Sequence, residues 1–310
     1  MSFEERRKQD ISILEVIDAL YVFFHDIKRQ DIKFLYHGTY NVFEIKKKYI
    51  FRIPDIHFRN INGVNLIKRE LKILNIIEDF IPFSIPEPTY ISIEPNYPLI
   101  GYEKIEGIRL SQCFKKASKN QKFKVAEQIG LFLSYLHSDM LRDVISNEMG
   151  EHYSAKQYEA EWHEYYNFIQ KKIFTLMNST QREWVNKLFK KFLGDKENFL
   201  FKPTLVHGDF DTSNILVNPK TFELSGIIDF EDSRIYDPAA DFLFFKEGRP
   251  FLDNILSSYQ RETELNFINR AAFLYGRNFL PYITFGIDNN IPEMIRAGFE
   301  LLDYKMNTIW

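Results

Sequence analysis

Residues 205–218 read LVHGDFDTSNILVN. Two short apolar, β-rich runs flank a histidine, two aspartates and an asparagine. The flanking runs favour strands. The segment between them suits neither a strand nor a stable helix. Gly208 opens backbone angles closed to other residues and lets another chain approach closely. Asn218-Pro219 supplies turn chemistry, and SGIIDFED then predicts a further short strand ending at Asp229. Two hairpin-connected strands would place Asn214, at the start of one, near Asp229, at the end of the next. With Asp209, two carboxylates and an amide would share one patch.

Such a patch suits phosphoryl transfer. Mg²⁺ takes oxygen ligands, a few from protein and the rest from phosphate and water. A further group must orient the attacking hydroxyl and accept its proton. Asp-x₄-Asn followed by an Asp at a strand end is the kinase arrangement of base and metal ligands. A loop made only of turn formers is the plainer reading of Asp-x₄-Asn. His207-Gly208 before it and IIDF after it weigh against that.

At 310 residues the chain is long for one core, so two lobes are expected. Net charge is -3, which gives no basic field. Neither nucleic acid nor an anionic membrane is therefore an expected partner. A single cysteine, Cys113, leaves no intrachain disulfide, and a reducing, cytoplasmic setting is expected. MSFEERRKQD lacks the apolar core of a signal peptide, and runs such as IGLFLSYL are too short to cross a bilayer.

Apolar spacing predicts a helix over residues 10–30. KFLYHGTYNVFEIKKKYIFRIP reads as three strands joined by a glycine turn and a tight turn. NGVNLIKRELKILNIIEDF is an amphipathic helix, and TYISIEP and PLIGYEKIEG are two more strands. Residues of about 110–200 read as helices, among them FKVAEQIGLFLSYLHSDM, and helices resume after 237. The expected fold is α+β and bilobal. A small β-rich lobe spans residues 1–105, and a larger α-rich lobe spans 106–310 and carries the loops of 204–241.

Three motifs carry a family resemblance: His-Gly-Asp-x₄-Asn in VHGDFDTSNILV, then Ile-Asp-Phe and Asp-Pro-x-x-Asp in IIDFEDSRIYDPAADF. The sequence resembles the aminoglycoside phosphotransferases and their choline-kinase-like relatives, which share the protein-kinase fold. GTYNVFEI, YIFRIP, KRELKIL and GYEKIEG extend it more weakly. They look most like the branch that phosphorylates the 2″-hydroxyl. The resemblance spans residues of about 30–245. It implies Asp209 as catalytic base, Asn214 and Asp229 as Mg²⁺ ligands, and ATP or GTP as phosphate donor. Asp237 and Asp241 are read as structural, capping a helix that starts near Ala239. His207 is read as an architectural hydrogen-bonder.

The resemblance also implies that residues 1–105 bind the nucleotide. Backbone N–H groups of the turn Gly38-Thr39-Tyr40-Asn41 could cover phosphates. Glu70 lies on a helix stripe with Leu66, Ile67, Ile73 and Leu74. A carboxylate there needs a partner, because an unpaired buried charge is costly. Arg52, where kinases usually carry lysine, is the candidate. IGYEKIEG would be the hinge, with backbone groups of Glu103 and Ile105 meeting the base.

Two features point away from a protein acceptor. Gly208 stands where protein kinases have arginine, and seven residues separate Asp229 from Asp237, too few for a peptide-docking segment. A small hydroxyl compound is expected, first an aminoglycoside. Such a polycation calls for a negative cleft, for which Asp211, Glu231, Asp232 and Glu247 are candidates. Residues 242–310 hold seven Lys/Arg and eight Asp/Glu, so no acidic cluster stands out there. Choline, a sugar or another antibiotic is the alternative acceptor, and a non-catalytic kinase-like binding module is the non-enzyme alternative.

Overall fold

The structure, a computed structural model, describes residues 8–308. It contains two compact units. The first takes the chain up to Cys113 together with Ser213–Ser233; the second takes Phe114–Thr212 and the chain from Arg234 onward. The division expected at residue 105 thus falls at Cys113. Part of the 204–241 segment belongs to the first unit, and strand pairing is the reason. β6 (Ile108–Arg109) bonds to β8 (Ile215–Val217), which bonds to β9 (Leu224–Ile227).

The main sheet of the first unit is antiparallel in the order β1-β2-β3-β5-β4. Its strands are β1 (Ile32–His37), β2 (Tyr40–Ile45), β3 (Tyr49–Pro54), β4 (Pro88–Ser92) and β5 (Leu99–Glu103). Side chains alternate between faces along each strand. Phe43, Ile45, Phe51 and Ile53 pack with Val16 and Leu20 of helix Ile13–Leu20. Tyr40, Val42 and Ile100 pack with Ile67 of helix Ile61–Ile77. Arg52 lies between Phe51 and Ile53, so it points toward the second of these helices. Opposite Phe51 in the register stands Gly101, where a Cβ would sit 2.5 Å from the Phe51 ring.

The helix expected over residues 10–30 is shorter, Ile13–Leu20. Ser12 and Glu15 form a capping box at its start. Beyond Leu20 the chain turns, and the Phe23 and Phe24 amides bond back to the Leu20 carbonyl. That turn brings both rings against Phe51 and Tyr90, contacts that a continuous helix could not make with two adjacent residues.

The second unit is helical apart from β7 (Thr204–Val206), which pairs with β10 (Arg234–Tyr236). Its helices include Lys119–Leu136, Asp139–Met149, Ala155–Lys172 and Ser179–Leu193, then Arg249–Ser258, Phe267–Gly276, Leu280–Asp288 and Pro292–Thr308. The helix read through FKVAEQIGLFLSYLHSDM stops at Leu136, because Ser138 caps a new helix at Asp139. Trp162, Phe189, Phe192 and Phe273 form an aromatic core, with Phe192 and Phe273 stacked. Among the described residues no helix is long and apolar enough to cross a membrane.

Helix Pro292–Thr308 buries Lys305, whose Nζ lies 2.8 Å from the centre of the Tyr275 ring. Burial and then the charge of Lys246 pull its pKa down to about 7, against an upward pull from Glu247. Between that value and the ordinary 10.5, the folded protein holds the amine neutral while the unfolded chain keeps it protonated. The unfolded state then binds more protons, so stability rises with pH across this window. Urea unfolding measured from about pH 7 to 10 should show the rise, and Lys305→Met should flatten it.

Candidate active site

In the first unit the Arg52 guanidinium is almost fully buried and meets three carboxylates. Its Nη1 pairs with Glu70 Oε1, and its Nη2 pairs with Asp229 Oδ1 at 2.7 Å and with Glu231 Oε2. The Tyr40 ring lies against the guanidinium carbon, 4.2 Å from its centroid. Glu70 is thus buried with Arg52 as its partner, and its second oxygen has no hydrogen-bond partner among the described residues.

Three carboxylates around one guanidinium leave surplus negative charge. Burial pushes the Glu231 carboxyl well above the ordinary range, and neighbouring Asp229 adds to that, while Arg52 opposes it. Burial likewise raises Glu70, and Arg52 draws it back. Glu231 was expected among acceptor contacts. Its carboxyl is largely buried against Arg52.

Strand pairing brings Asn214 beside this cluster. Ile215 faces Ile227 in the register, and the Ile228 amide donates to the Asn214 carbonyl at 3.0 Å. Asn214 is buried. Asp229, the second residue beyond Ile227, takes a left-handed backbone with φ 76°. A non-glycine residue rarely adopts that conformation without compensation, and its bond to Arg52 is such a compensation.

At the turn between β1 and β2, the Gly38 amide bonds to the Tyr40 carbonyl and the Asp55 amide to the Thr39 carbonyl. Asn41 is fully buried, its side chain bonded to Asp10. Glu103 ends β5 with its side chain exposed, 3.7 Å from Lys48. Ile105 packs against Gly226 of β9, where a Cβ would lie 2.8 Å from Ile105 Cγ2.

The second unit holds Asp209. Its loop leaves β7 at Val206 and is fixed from beneath by Asp241. The His207 amide donates to Asp241 Oδ2 at 2.7 Å, and the Gly208 amide donates to Oδ1 at 3.0 Å. Gly208 has φ 89°, the left-handed region that glycine enters without a Cβ penalty. The Asp209 amide points at His207 Nδ1, 3.4 Å away. Phe210 turns inward and stacks on Phe132. Asp209 itself is exposed, on a backbone held by buried groups.

Asp237 caps the turn Pro238–Asp241 through the Ala239 amide and pairs with Arg270. Asp241 is corrected from helix cap to support of the loop backbone, because its two oxygens face the His207 and Gly208 amides. His137 Nε2 lies 3.1 Å from Asp241 Oδ2, and its Nδ1 lies 2.9 Å from the Tyr259 hydroxyl. These two supports were not read from the sequence. A buried histidine just after an amphipathic helix was the available signal. Asp211 is exposed, while Glu247 accepts from the Thr212 hydroxyl at 3.1 Å. Asp232 is exposed in the first unit.

Residues 31–273 match the phosphotransferase enzyme family. The chain belongs to this family of phosphotransferase enzymes. Solved structures agree in fold. The GDP complex of an aminoglycoside 2'-phosphotransferase-IIIa superposes with a TM-score of 0.84 at 20% identity, covering 97% of this chain and 100% of that one. The GDP and kanamycin complex of APH(2″)-IIIa gives 0.82 at 20% identity, covering 95% and 99%. A macrolide 2'-phosphotransferase from Brachybacterium faecium gives 0.72 at 14% identity, covering 93% and 97%. The architecture is thus the bilobal, kinase-like fold of these enzymes. One curated protein, the 5'-nucleotidase SurE of Aquifex aeolicus (strain VF5), is 31% identical over 83 residues, 26% of this chain. The chain spans about a third (32%) of that protein's length.

Arg52→Met should strand three carboxylates in one buried region and destabilise the fold by about 3 kcal/mol or more. Adding Glu70→Gln should restore part of that loss. Urea unfolding of the single and double variants measures both; additive losses would contradict direct coupling.

Proposed function

We propose that the chain transfers the γ-phosphate of ATP or GTP to a hydroxyl of a small molecule. The carrying observation is the Arg52 cluster, which joins Asp229 to Glu70 in the unit that also holds Asn214. Asp229 and Asn214 offer a carboxylate and an amide oxygen, hard donors suited to Mg²⁺. The surplus of carboxylate over guanidinium in this cluster also fits a divalent cation. Neutralising charge on the transferring phosphoryl group is what a Mg²⁺ held there would supply.

Asp209 is the base. It accepts the proton of the acceptor hydroxyl and orients its oxygen. Its exposure on an immobilised backbone supports this role. The turn at Gly38–Asn41 directs N–H groups to the phosphates, and the backbone of Glu103 and Ile105 meets the nucleotide base. Nucleotide dependence also has support in the neighbours, whose structures were obtained with GDP.

The acceptor is read first as an aminoglycoside, phosphorylated at the 2″-hydroxyl, because the structural neighbours include a kanamycin complex. Asp211, Glu247 and Asp232 are read as carboxylate contacts for its ammonium groups. A less cationic hydroxyl compound is the second reading. Lys246, whose charge is felt at Glu247, favours it, as does the likeness to a macrolide phosphotransferase.

Nucleotide turnover with Mg²⁺ across aminoglycosides, macrolides, choline and sugars tests these readings. Aminoglycosides should raise turnover above water-driven hydrolysis; stimulation by macrolides or sugars alone would establish the second. Asp209→Asn should lower transfer by about a thousandfold or more while sparing nucleotide affinity. Asp229→Ala should weaken Mg²⁺-nucleotide binding by about tenfold or more in titration calorimetry. Retained transfer in the first variant, or unchanged affinity in the second, would overturn the assigned role.

A further inference from the structure

Asp10 lies before the first helix, outside every motif, yet it is a hub of the first unit. Its amide donates to Asn41 Oδ1 at 3.1 Å, and its Oδ1 accepts from Asn41 Nδ2 at 2.7 Å. Its Oδ2 accepts from the Ile56 amide at 2.8 Å. Arg59 Nη2 donates to both its carbonyl and its carboxylate. His37 Nε2 lies 3.5 Å from Asp10 Oδ2 and 2.8 Å from Asp55 Oδ2.

His37 is buried, and its other nitrogen, Nδ1, lies 2.6 Å from the Lys8 carbonyl. A carbonyl only accepts, and so does a carboxylate. Each ring nitrogen thus lies within hydrogen-bond distance of an oxygen acceptor. Asp10, His37 and Asp55 lie close enough together to ligate a cation. However, His37 and Arg59 already bond to these carboxyl groups, so the geometry is that of a hydrogen-bonded clamp.

The clamp has a specific target. His37 and Asn41 flank the turn Gly38-Thr39-Tyr40. Asp55 closes it from the other strand, its amide bonding to the Thr39 carbonyl at 2.8 Å. Asp10 therefore grips the turn at both ends, while Arg59 ties it to the Pro54 carbonyl.

We propose that Asp10 is a positioning residue for the nucleotide: through Asn41 and His37 it sets the backbone geometry of the Gly38–Tyr40 turn before phosphate arrives. The proposal rests on the reading of this turn as a phosphate cover. Preorganised N–H donors lose little on binding, whereas a turn that must be ordered first costs affinity. The effect should fall on the phosphates more than on the base.

The test compares MgGTP and MgATP with guanosine and adenosine, binding to wild type, Asp10→Ala, Asp10→Asn and Thr39→Pro. Asp10→Ala should weaken triphosphate binding by about tenfold and change nucleoside binding by less than about twofold. Asp10→Asn, which keeps the shape and loses the charge, should fall between and guards against misfolding of the alanine variant. Amide exchange without nucleotide should quicken at Gly38 and Asp55 by about tenfold in Asp10→Ala. Thr39→Pro removes a turn N–H. If it weakens triphosphate binding while Asp10→Ala and Asp10→Asn do not, the positioning role falls and the phosphate-cover reading stands. If Thr39→Pro changes nothing, that reading falls and the proposal with it. Equal losses for triphosphate and nucleoside in the Asp10 variants would reduce Asp10 to a purely structural part and overturn the proposal.

Discussion

The Arg52 guanidinium is buried among Glu70, Asp229 and Glu231, and the first unit is arranged around satisfying that charge. Removing an ion pair from water costs several kcal/mol per ion, on the order of what a whole domain has to spare. The cost is met only when partners sit at bonding distance. Arg52 comes from β3, Glu70 from helix Ile61–Ile77, and Asp229 and Glu231 from the chain after β9. One side chain thus joins three stretches far apart in sequence. It also holds Asp229 in a left-handed backbone that would otherwise be strained.

The second unit applies the same rule with a carboxylate at the centre. Asp241 is fully buried and accepts the amides of His207 and Gly208, with His137 beside it. Buried polar groups of this kind are costly if one partner is lost. The loop carrying Asp209 is therefore fixed through its backbone, and the Asp209 side chain can stay exposed without the loop wandering. The base role proposed for Asp209 needs both properties: access to its substrate and a set position.

Legibility differed from residue to residue. Glu70 was readable because a carboxylate on an apolar helix stripe violates the pattern, and Arg52 on the adjacent strand face was its natural partner. Asn214 near Asp229 followed from a hairpin whose register strand pairing then set. Asp10 was not readable: a lone aspartate before a helix looks like any solvated residue, and its bonds reach 31 and 46 residues along the chain. The Glu231 pairing with Arg52 was not readable, because sequence distance from Asp229 does not say which way a side chain turns. The helix over 10–30 ran too long because Phe23 and Phe24 keep the apolar spacing while tertiary packing bends the chain.

By itself, the sequence determined the chemistry-bearing motifs, the alternation of strands and helices, and the phosphotransferase family. The motifs and the element alternation follow from residue type and short-range spacing, which local sterics and hydrophobic periodicity translate into structure directly, and the family from the resemblance those motifs carry. The tertiary structure decided which charges neutralise one another. It gave Arg52 three carboxylates, Asp241 a backbone to hold, and Asp10 a turn to grip. Such pairings depend on distances of a few ångströms between groups distant in sequence, because electrostatic and hydrogen-bond energies fall off steeply beyond contact.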